Sequence, residues 1–366
     1  MSSALESAGL GGLVNLGLTC YANAMIQVIR HIPRFQWLLE NGRYNTLFQK
    51  GEGVKPRRAL QQKLTTSFAE VVQMLWKCKK GQSVRPAEFW KDVPALVDDT
   101  MYEHLARKAP HDSHEFFLFL LESIHEATAQ EVDMRITRPP GSSQKDKLVH
   151  GALVAWQKEF SKECSPFVDL FFGLSHWQTT CQVCGTISHR WETFNSLKVS
   201  VPAGGDVDAA DILTMLRKDM ESETIEGYQC DKCHTRTTAK RVMSIWSMPK
   251  ALTLVLKRFT PDGRKIHTRV APLPPIVDFT PFYSDASPQK GSSKGATHYS
   301  LRGIVDHHGG ANGGHYTAQC RSEAGNGWYM YDDEGVEPME GGPSFGGSTY
   351  ILVLERVEAS ALAPPA

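Results

Sequence analysis

The sequence predicts an α+β protein, with helices concentrated in the N-terminal third and strands in the C-terminal half. Two observations carry this. Up to about residue 130, apolar side chains recur at the spacing of a helix face, and from about residue 170 they come in short alternating runs. With 366 residues, 41% hydrophobic and 22% charged, the chain can bury a large core as one elaborate domain or two smaller ones.

Met25, Ile26, Ile29 and Ile32 follow Cys20 at helical spacing, and Pro33 is expected to stop that helix. A second helix is expected near residues 58–79, with Leu60, Leu64, Phe68, Val71 and Leu75 on one stripe. A third starts at about Asp112 and places Phe117, Leu120, Leu121 and Ile124 at i, i+3, i+4 and i+7. Strands are expected at residues 193–199, 251–259, 301–306, 316–321 and 350–357. Stretches rich in Pro, Gly and Ser mark loops near 138–147, 284–297 and 341–348, and no internal repeat is evident.

Forty basic and forty acidic residues cancel, so no nucleic-acid or membrane partner is expected from global charge. The first dozen residues lack a basic segment followed by an apolar run, and no stretch approaches 18 consecutive apolar residues. Eight cysteines are too sparse for a disulfide scaffold, and four of them form two Cys-x-x-Cys pairs. A soluble protein of the cytoplasm or nucleus is expected.

Cys20 follows the glycine-rich approach Gly12 to Gly17 and opens a helix, where a thiol pKa is lowered. The glycines free backbone amides for an oxyanion, and Asn15 with the Cys20 amide would form the hole. At the other end of the chain, His315 stands between Gly313-Gly314 and an alternating strand. Asp332 lies seventeen residues further on, and two antiparallel strands joined by a turn at 322–327 would set it beside His315. A thiol, an imidazole and an orienting carboxylate make a nucleophilic triad. Asp112 and Glu115, three apart before an apolar run, read either as a helix cap with a reciprocal carboxylate or as carboxylates for a cationic substrate tail.

Cys181-x-x-Cys184 and Cys230-x-x-Cys233 supply the four thiolates of a tetrahedral structural zinc. Forty-five residues separate the pairs, so the ion would join two distant hairpin tips. A redox pair or a nucleic-acid-binding ribbon is the alternative, and His176, His189 and His234 are nearby spare ligands.

Residues 12–24 resemble the Cys box of the ubiquitin-specific proteases, the papain-like deubiquitinases, in nearly every position. Leu18 stands where many members carry asparagine, and Ala22 where many have a larger residue. Residues 307–316 and 328–333 resemble the His box of that family. Residues 111–116 resemble its segment beside the ubiquitin C-terminus, with Pro110 in place of a usual glutamine. The likeness runs from Gly12 to about Glu355 and includes both cysteine pairs and the 252–259 strand.

The resemblance implies a papain-like fold with a helical thumb (about 12–165), zinc-tied β fingers (about 170–250) and a β-sheet palm (mostly 251–357). An N-terminal extension, 1–11, and a disordered tail, 358–366, would flank it. It implies Cys20 as nucleophile, His315 as general base, Asp332 as orienting acid with Asp333 its neighbour, and Asn15 as oxyanion donor. Asp112, Glu115, Gly313 and Gly314 would meet the substrate tail. The implied reaction is hydrolysis after the terminal glycine of ubiquitin through a thioester, with structural zinc and no catalytic cofactor. Ubiquitin and ubiquitinated proteins are the implied partners of a monomer, with an activating partner protein as an added expectation. A protease for another modifier such as SUMO, or a non-catalytic ubiquitin-binding scaffold, is the alternative.

Overall fold

The computed structural model describes residues 9–357, apart from residues 138, 205–208, 293–295, 311–312 and 323–326. Most of the expected N-terminal extension, the expected tail 358–366 and the interior of the expected 322–327 turn lie outside the described residues. The described helices are α1 (Cys20–Arg30), α2 (Pro33–Leu39), α3 (Pro56–Lys77), α4 (Ala87–Val97), α5 (Ser113–Thr128), α6 (Gln144–Phe160), α7 (Pro166–Phe171) and α8 (Ile212–Asp219). The first strands are β1 (Gly12–Leu13), β2 (Ser83–Val84), β3 (Gly173–Cys181), β4 (Ile187–Phe194), β5 (Leu197–Ser200), β6 (Glu223–Gln229) and β7 (Arg236–Ser247). The remainder are β8 (Ala251–Lys257), β9 (Val277–Asp278), β10 (His298–Gly310), β11 (Gly313–Ser322), β12 (Gly327–Asp332), β13 (Gly335–Met339) and β14 (Thr349–Arg356). Among the described residues no helix is long and apolar enough to cross a membrane.

Helix α1 is the centre of the molecule, because all eleven of its residues are buried. Met25, Ile26 and Ile29 join a core shared by α3, α5 and the inner face of the large sheet. Each such side chain contributes about 1.5–3 kcal/mol by leaving water. Its polar residues also fall at helical spacing. Asn23, Gln27 and Arg30 reach Asp333 Oδ1, the Gly11 carbonyl and the Gly9 carbonyl at 2.8, 3.0 and 2.9 Å. A buried polar stripe thus binds the entering chain along the helix, and the Arg30 guanidinium lies over the rings of Trp76 and Tyr331 at 4.7 and 5.4 Å. Pro33 does not end this helix. The helix stops at Arg30, and Pro33 occupies the first turn of α2, where its missing N–H costs nothing.

The second and third expected helices match α3 and α5, each with its apolar stripe buried except for the half-buried Leu60. The large sheet has the order β13-β12-β11-β10-β14-β8-β5, with β9 against β10. Its two faces pack α1 on one side and α8 with the 277–283 segment on the other. The smaller sheet, β4-β3-β7-β6, consists of two hairpins joined side by side through β3 and β7. Between those hairpins the chain returns to the large sheet, where β5 runs parallel to β8. The expected strand at 193–199 straddles the break between β4 and β5, β10 and β11 contain 301–306 and 316–321, and β8 and β14 end at Lys257 and Arg356, just short of the expected 259 and 357.

Close pairing of β10 and β11 dictates one glycine. A Cβ on Gly314 would lie 2.2 Å from the His308 carbonyl oxygen and 2.5 Å from His307 Nε2, whereas one on Gly313 would meet nothing within 4 Å. Gly314→Ala is therefore expected to cost about 1–3 kcal/mol of stability by forcing the strands apart, while Gly313→Ala leaves the melting temperature unchanged. Equal melting temperatures for both variants would contradict this packing.

Several histidines are buried in the neutral form. His31 donates from Nδ1 to the Gln27 carbonyl at 2.6 Å and accepts at Nε2 from the Tyr331 hydroxyl at 3.2 Å. Burial, reinforced by Arg30, holds its pKa well below the ordinary value, and burial pulls His114 down to about 4. Below pH ~6.5 the unfolded chain binds protons that these folded imidazoles refuse, so stability falls as pH falls, by up to about 1.4 kcal/mol per unit per histidine. For His114 the loss ends near pH 4, where the folded side chain also titrates. Denaturant midpoints are expected to fall between pH 7 and pH 5, and His31→Gln is expected to flatten the slope; a midpoint constant over that range would count against the buried neutral pair.

Candidate active site

The segment leading to Cys20 is shaped by what it must avoid and what it must reach. Gly12 packs so tightly on the β12–β13 turn that a Cβ would sit 2.3 Å from the Glu334 carbonyl oxygen. The Leu13 amide donates to the Asp333 carbonyl at 2.8 Å. Gly17 and Leu18 then take positive φ, +102° and +63°, to turn the chain into α1. Glycine adopts this freely, but for leucine it costs about 1–2 kcal/mol, and asparagine tolerates it better. Leu18 is exposed, so the departure strains the loop without blocking the site.

Asn15 ties this segment together. Its Oδ1 accepts from the Gly17 and Thr19 amides at 2.9 and 3.1 Å, and its Nδ2 donates to Asp333 Oδ2 at 2.8 Å. An amide nitrogen carries two hydrogens, so the bond to Asp333 orients Asn15 and leaves a second donor. The other oxygen of Asp333 accepts from Asn23 Nδ2 at 2.8 Å. Asp333 reaches both amides because its φ of +49° turns it away from its neighbour.

Asp332 faces His315 instead: His315 Nε2 lies 2.5 Å from Asp332 Oδ1, so Nδ1 is the ring nitrogen that Asp332 does not engage. The ligating atoms of His315, Asp332 and Asp333 all fall within 4.8 Å of one another. The β11–β12 pairing brings this about, with Ala318 opposite Tyr331. Cys20 is next to this group, with the backbone amide of Tyr316, the residue after His315, facing its thiol. A helix start lowers a thiol pKa, yet that of Cys20 is raised, contrary to the expectation from sequence. Burial raises it most, the Tyr316 amide opposes this, and Asp333 adds to it. Cys20 therefore rests as a thiol, and its ionisation calls for a base.

A cleft of about 340 Å³ opens over Cys20, with Asp112, Glu115, His307, Gly313 and Tyr316 in its wall. Asp112 is the N-cap of α5: its Oδ1 accepts from the His114 and Glu115 amides at 2.8 and 3.0 Å, and its Oδ2 from the Tyr350 hydroxyl at 2.6 Å. The reciprocal half of the box is not made. The exposed Glu115 carboxylate pairs with His104 Nε2 at 2.9 Å instead. Both carboxylates nevertheless line the cleft, as do Gly313 and Gly314, although packing against His307 is what demands glycine at 314. Asn23, Phe259 and His307, which lie within the resembling segments but take no role from the resemblance, also belong to this region, as does His104, which has no motif. The polar spacing Asn23-Gln27-Arg30 in an otherwise apolar helix is the signal that points to the first.

The two cysteine pairs lie at the tips of the β3–β4 and β6–β7 hairpins, which adjoin because β3 pairs with β7. In each turn a residue after the second cysteine takes positive φ, Gly185 at +67° and His234 at +52°, and its amide donates back to the first cysteine carbonyl. All four sulfur atoms lie within 4.8 Å of one another, with Cys181–Cys233 at 3.9 Å and Cys184–Cys230 at 3.7 Å. A tetrahedral ion with Zn–S bonds of about 2.3 Å requires sulfurs about 3.8 Å apart, so the donor set fits a metal-binding site. His176 and His189 bond to each other at 3.0 Å and stack on Trp191, apart from this cluster.

Comparison with known proteins agrees with this geometry. The family model "Ubiquitin carboxyl-terminal hydrolase" matches residues 11–354. Ubiquitin carboxyl-terminal hydrolase 2 of Gallus gallus is 28% identical over 361 residues, which cover 96% of this chain and 95% of that protein. Ubiquitin carboxyl-terminal hydrolase 21 of Bos taurus is 27% identical over 381 residues, covering 97% of this chain and 63% of that protein. Among solved structures, the SAGA Ubp8/Sgf11/Sus1/Sgf73 DUB module bound to ubiquitin aldehyde has the same fold, with a TM-score of 0.71 at 19% identity over 96% of this chain and 70% of that one. With the match spanning nearly all of its length, this chain belongs to the ubiquitin carboxyl-terminal hydrolase family.

Proposed function

We propose that the protein hydrolyses the isopeptide or peptide bond after the C-terminal glycine of ubiquitin through a thioester on Cys20. The observation that carries this is the placement of Cys20, at the start of buried α1 and in the cleft, against the amide of Tyr316 and near Asp333, whose neighbour Asp332 holds His315 and whose own carboxylate holds Asn15. His315, oriented through Nε2 by Asp332, takes the thiol proton at Nδ1, and the thiolate attacks the glycine carbonyl carbon. Negative charge on the carbonyl oxygen is met by the Asn15 side chain and the Cys20 amide. His315 then protonates the leaving amine and, in the second half, takes a proton from the water that hydrolyses the thioester.

The arginines ahead of ubiquitin's terminal Gly-Gly suit the cleft carboxylates Asp112 and Glu115, and the open face of Gly313 lets an extended tail approach the backbone. Asp112 retains one lone-pair direction after its cap and Tyr350 bonds, whereas Glu115 must first release His104. Cys181, Cys184, Cys230 and Cys233 are proposed to hold a structural zinc that fixes the two hairpin tips relative to each other. Ubiquitin and ubiquitinated proteins are the proposed partners, with a protein activator in addition; the Ubp8 structure contains its chain together with Sgf11, Sus1 and Sgf73. A reducing compartment, cytoplasm or nucleus, suits a free nucleophilic thiol and thiolate-held zinc.

Turnover of ubiquitin carrying a C-terminal fluorophore tests the reaction. Cys20→Ala is expected to abolish it while ubiquitin binding persists, and Asn15→Ala to lower kcat by about 10²–10³ with KM little changed. Normal turnover by Cys20→Ala would refute the assignment. For the metal, Cys181→Ser or Cys230→Ser is expected to reduce zinc content and lower the melting temperature, because an opened site loses binding energy that is also folding energy. Unchanged zinc stoichiometry in both variants would remove the ion from the account.

A further inference from the structure

A second cavity, of about 980 Å³, shares none of its lining residues with the cleft over Cys20. Its apolar wall comes from Trp37 and Leu38 of α2, Leu170 of α7, and the Pro275–Ile276 step. Trp37 is 56% exposed and Ile276 40%, so large apolar surfaces here are only partly covered, and the Arg43 guanidinium stacks on one face of the Trp37 ring at 4.4 Å. Isolated exposed apolar residues are ordinary, but these converge on a single concavity.

Its charge is distinctive. Arg34, Lys250, Arg302, Arg321 and Arg356 line it, against only two carboxylates, Asp169 and Glu355. Lys250 pairs with Asp169, and Arg302 with Glu355 at 2.7 Å. The Arg356 guanidinium is held by the Met248 and Pro249 carbonyls and the Tyr299 hydroxyl, none of which neutralises it. The wall is thus markedly cationic in a chain whose basic and acidic residues are equal in number. Guanidinium groups around an apolar floor complement carboxylates that flank an apolar side chain.

Position gives such an occupant leverage. Helix α2 follows directly on α1, the helix that Cys20 opens, and Arg302 and Arg321 lie on β10 and β11, the strands that carry His307 and His315. We propose that this cavity docks a short acidic segment of a partner protein, with an aromatic or aliphatic side chain against Trp37 and Leu170 and flanking carboxylates on Arg321 and Arg356. Neither the cavity nor its charge depends on the reaction at Cys20.

The test is fluorescence anisotropy of the full chain with a fluorescein-labelled peptide of aspartate and glutamate around a central Phe-Leu pair, beside a peptide with lysine for every acid. The acidic peptide is expected to bind, more weakly as salt rises, and to lose about tenfold in affinity in Trp37→Ala and in Arg321→Glu. Both residues are exposed, and melting temperatures equal to wild type would exclude unfolding as the cause. The same affinities should hold in Cys20→Ala, which separates this site from the catalytic reading. Absence of acidic-peptide binding, equal binding of the lysine peptide, or affinities unmoved by both variants would overturn the proposal. Displacement of the peptide by inorganic phosphate alone, or tighter capture by phosphatidylserine vesicles, would also overturn it in favour of a small-anion or membrane site.

Discussion

The structure depends on one carboxylate at a turn. Asp333 accepts from Asn15 with one oxygen and from Asn23 with the other, while its carbonyl accepts from Leu13. Three hydrogen bonds to a single residue of the β12–β13 turn therefore hold the entering segment, the loop before Cys20 and the helix that Cys20 opens. Bonds to a charged group contribute about 1.5–3 kcal/mol each, and losing the acceptor would strand two amides in a half-buried joint. The same negative charge disfavours the Cys20 thiolate. Alignment of the two halves and a resting thiol are two consequences of one placement.

That placement is possible because α1 is buried on every side. A wholly buried helix must find partners for most of its polar atoms, so Asn23, Gln27 and Arg30 reach neighbouring backbone and Asp333, and only Asn23 Oδ1 and Arg30 Nη1 among them stay unpartnered. The entering chain from Gly9 to Leu13 is fixed along the helix as a result, and Gly12 must lack a side chain where it crosses the β12–β13 turn. Sheet pairing does the rest over long sequence distances. The β11–β12 pair sets Asp332 against His315, and the β3–β7 pair sets the two cysteine turns against each other across 45 intervening residues.

Much of this is legible in the sequence. The stripe Phe117, Leu120, Leu121, Ile124 locates α5 because large apolar residues at that spacing share one face only when the chain is helical. The pairing of His315 with Asp332, the approach of Cys20 to the amide of Tyr316 and the convergence of the four cysteines all fall on residues that the motifs single out. What is not legible depends on partners distant in sequence. Helix α6 is polar over most of its length, and Leu148, Ala152 and Trp156 make sense only against Trp191 and Trp246 of the smaller sheet. Helix α4 carries Pro94 inside it, which weakens any local helix signal. The raised Cys20 pKa is hidden from the sequence because burial and a carboxylate more than three hundred residues away outweigh the helix start. Asp332 and Asp333 look alike in a sequence, and only the positive φ at Asp333 assigns them to different partners.

Covalent capture tests the central claim most directly: ubiquitin bearing a C-terminal electrophile, with a matched SUMO probe beside it, reacted with wild type and Asp333→Ala and mapped by mass spectrometry. A ubiquitin adduct is expected on Cys20, formed much more slowly in the Asp333→Ala variant because Asn15 and the loop before Cys20 lose their anchor. An adduct on another cysteine, reaction with the SUMO probe alone, or equal rates in the two proteins would contradict it.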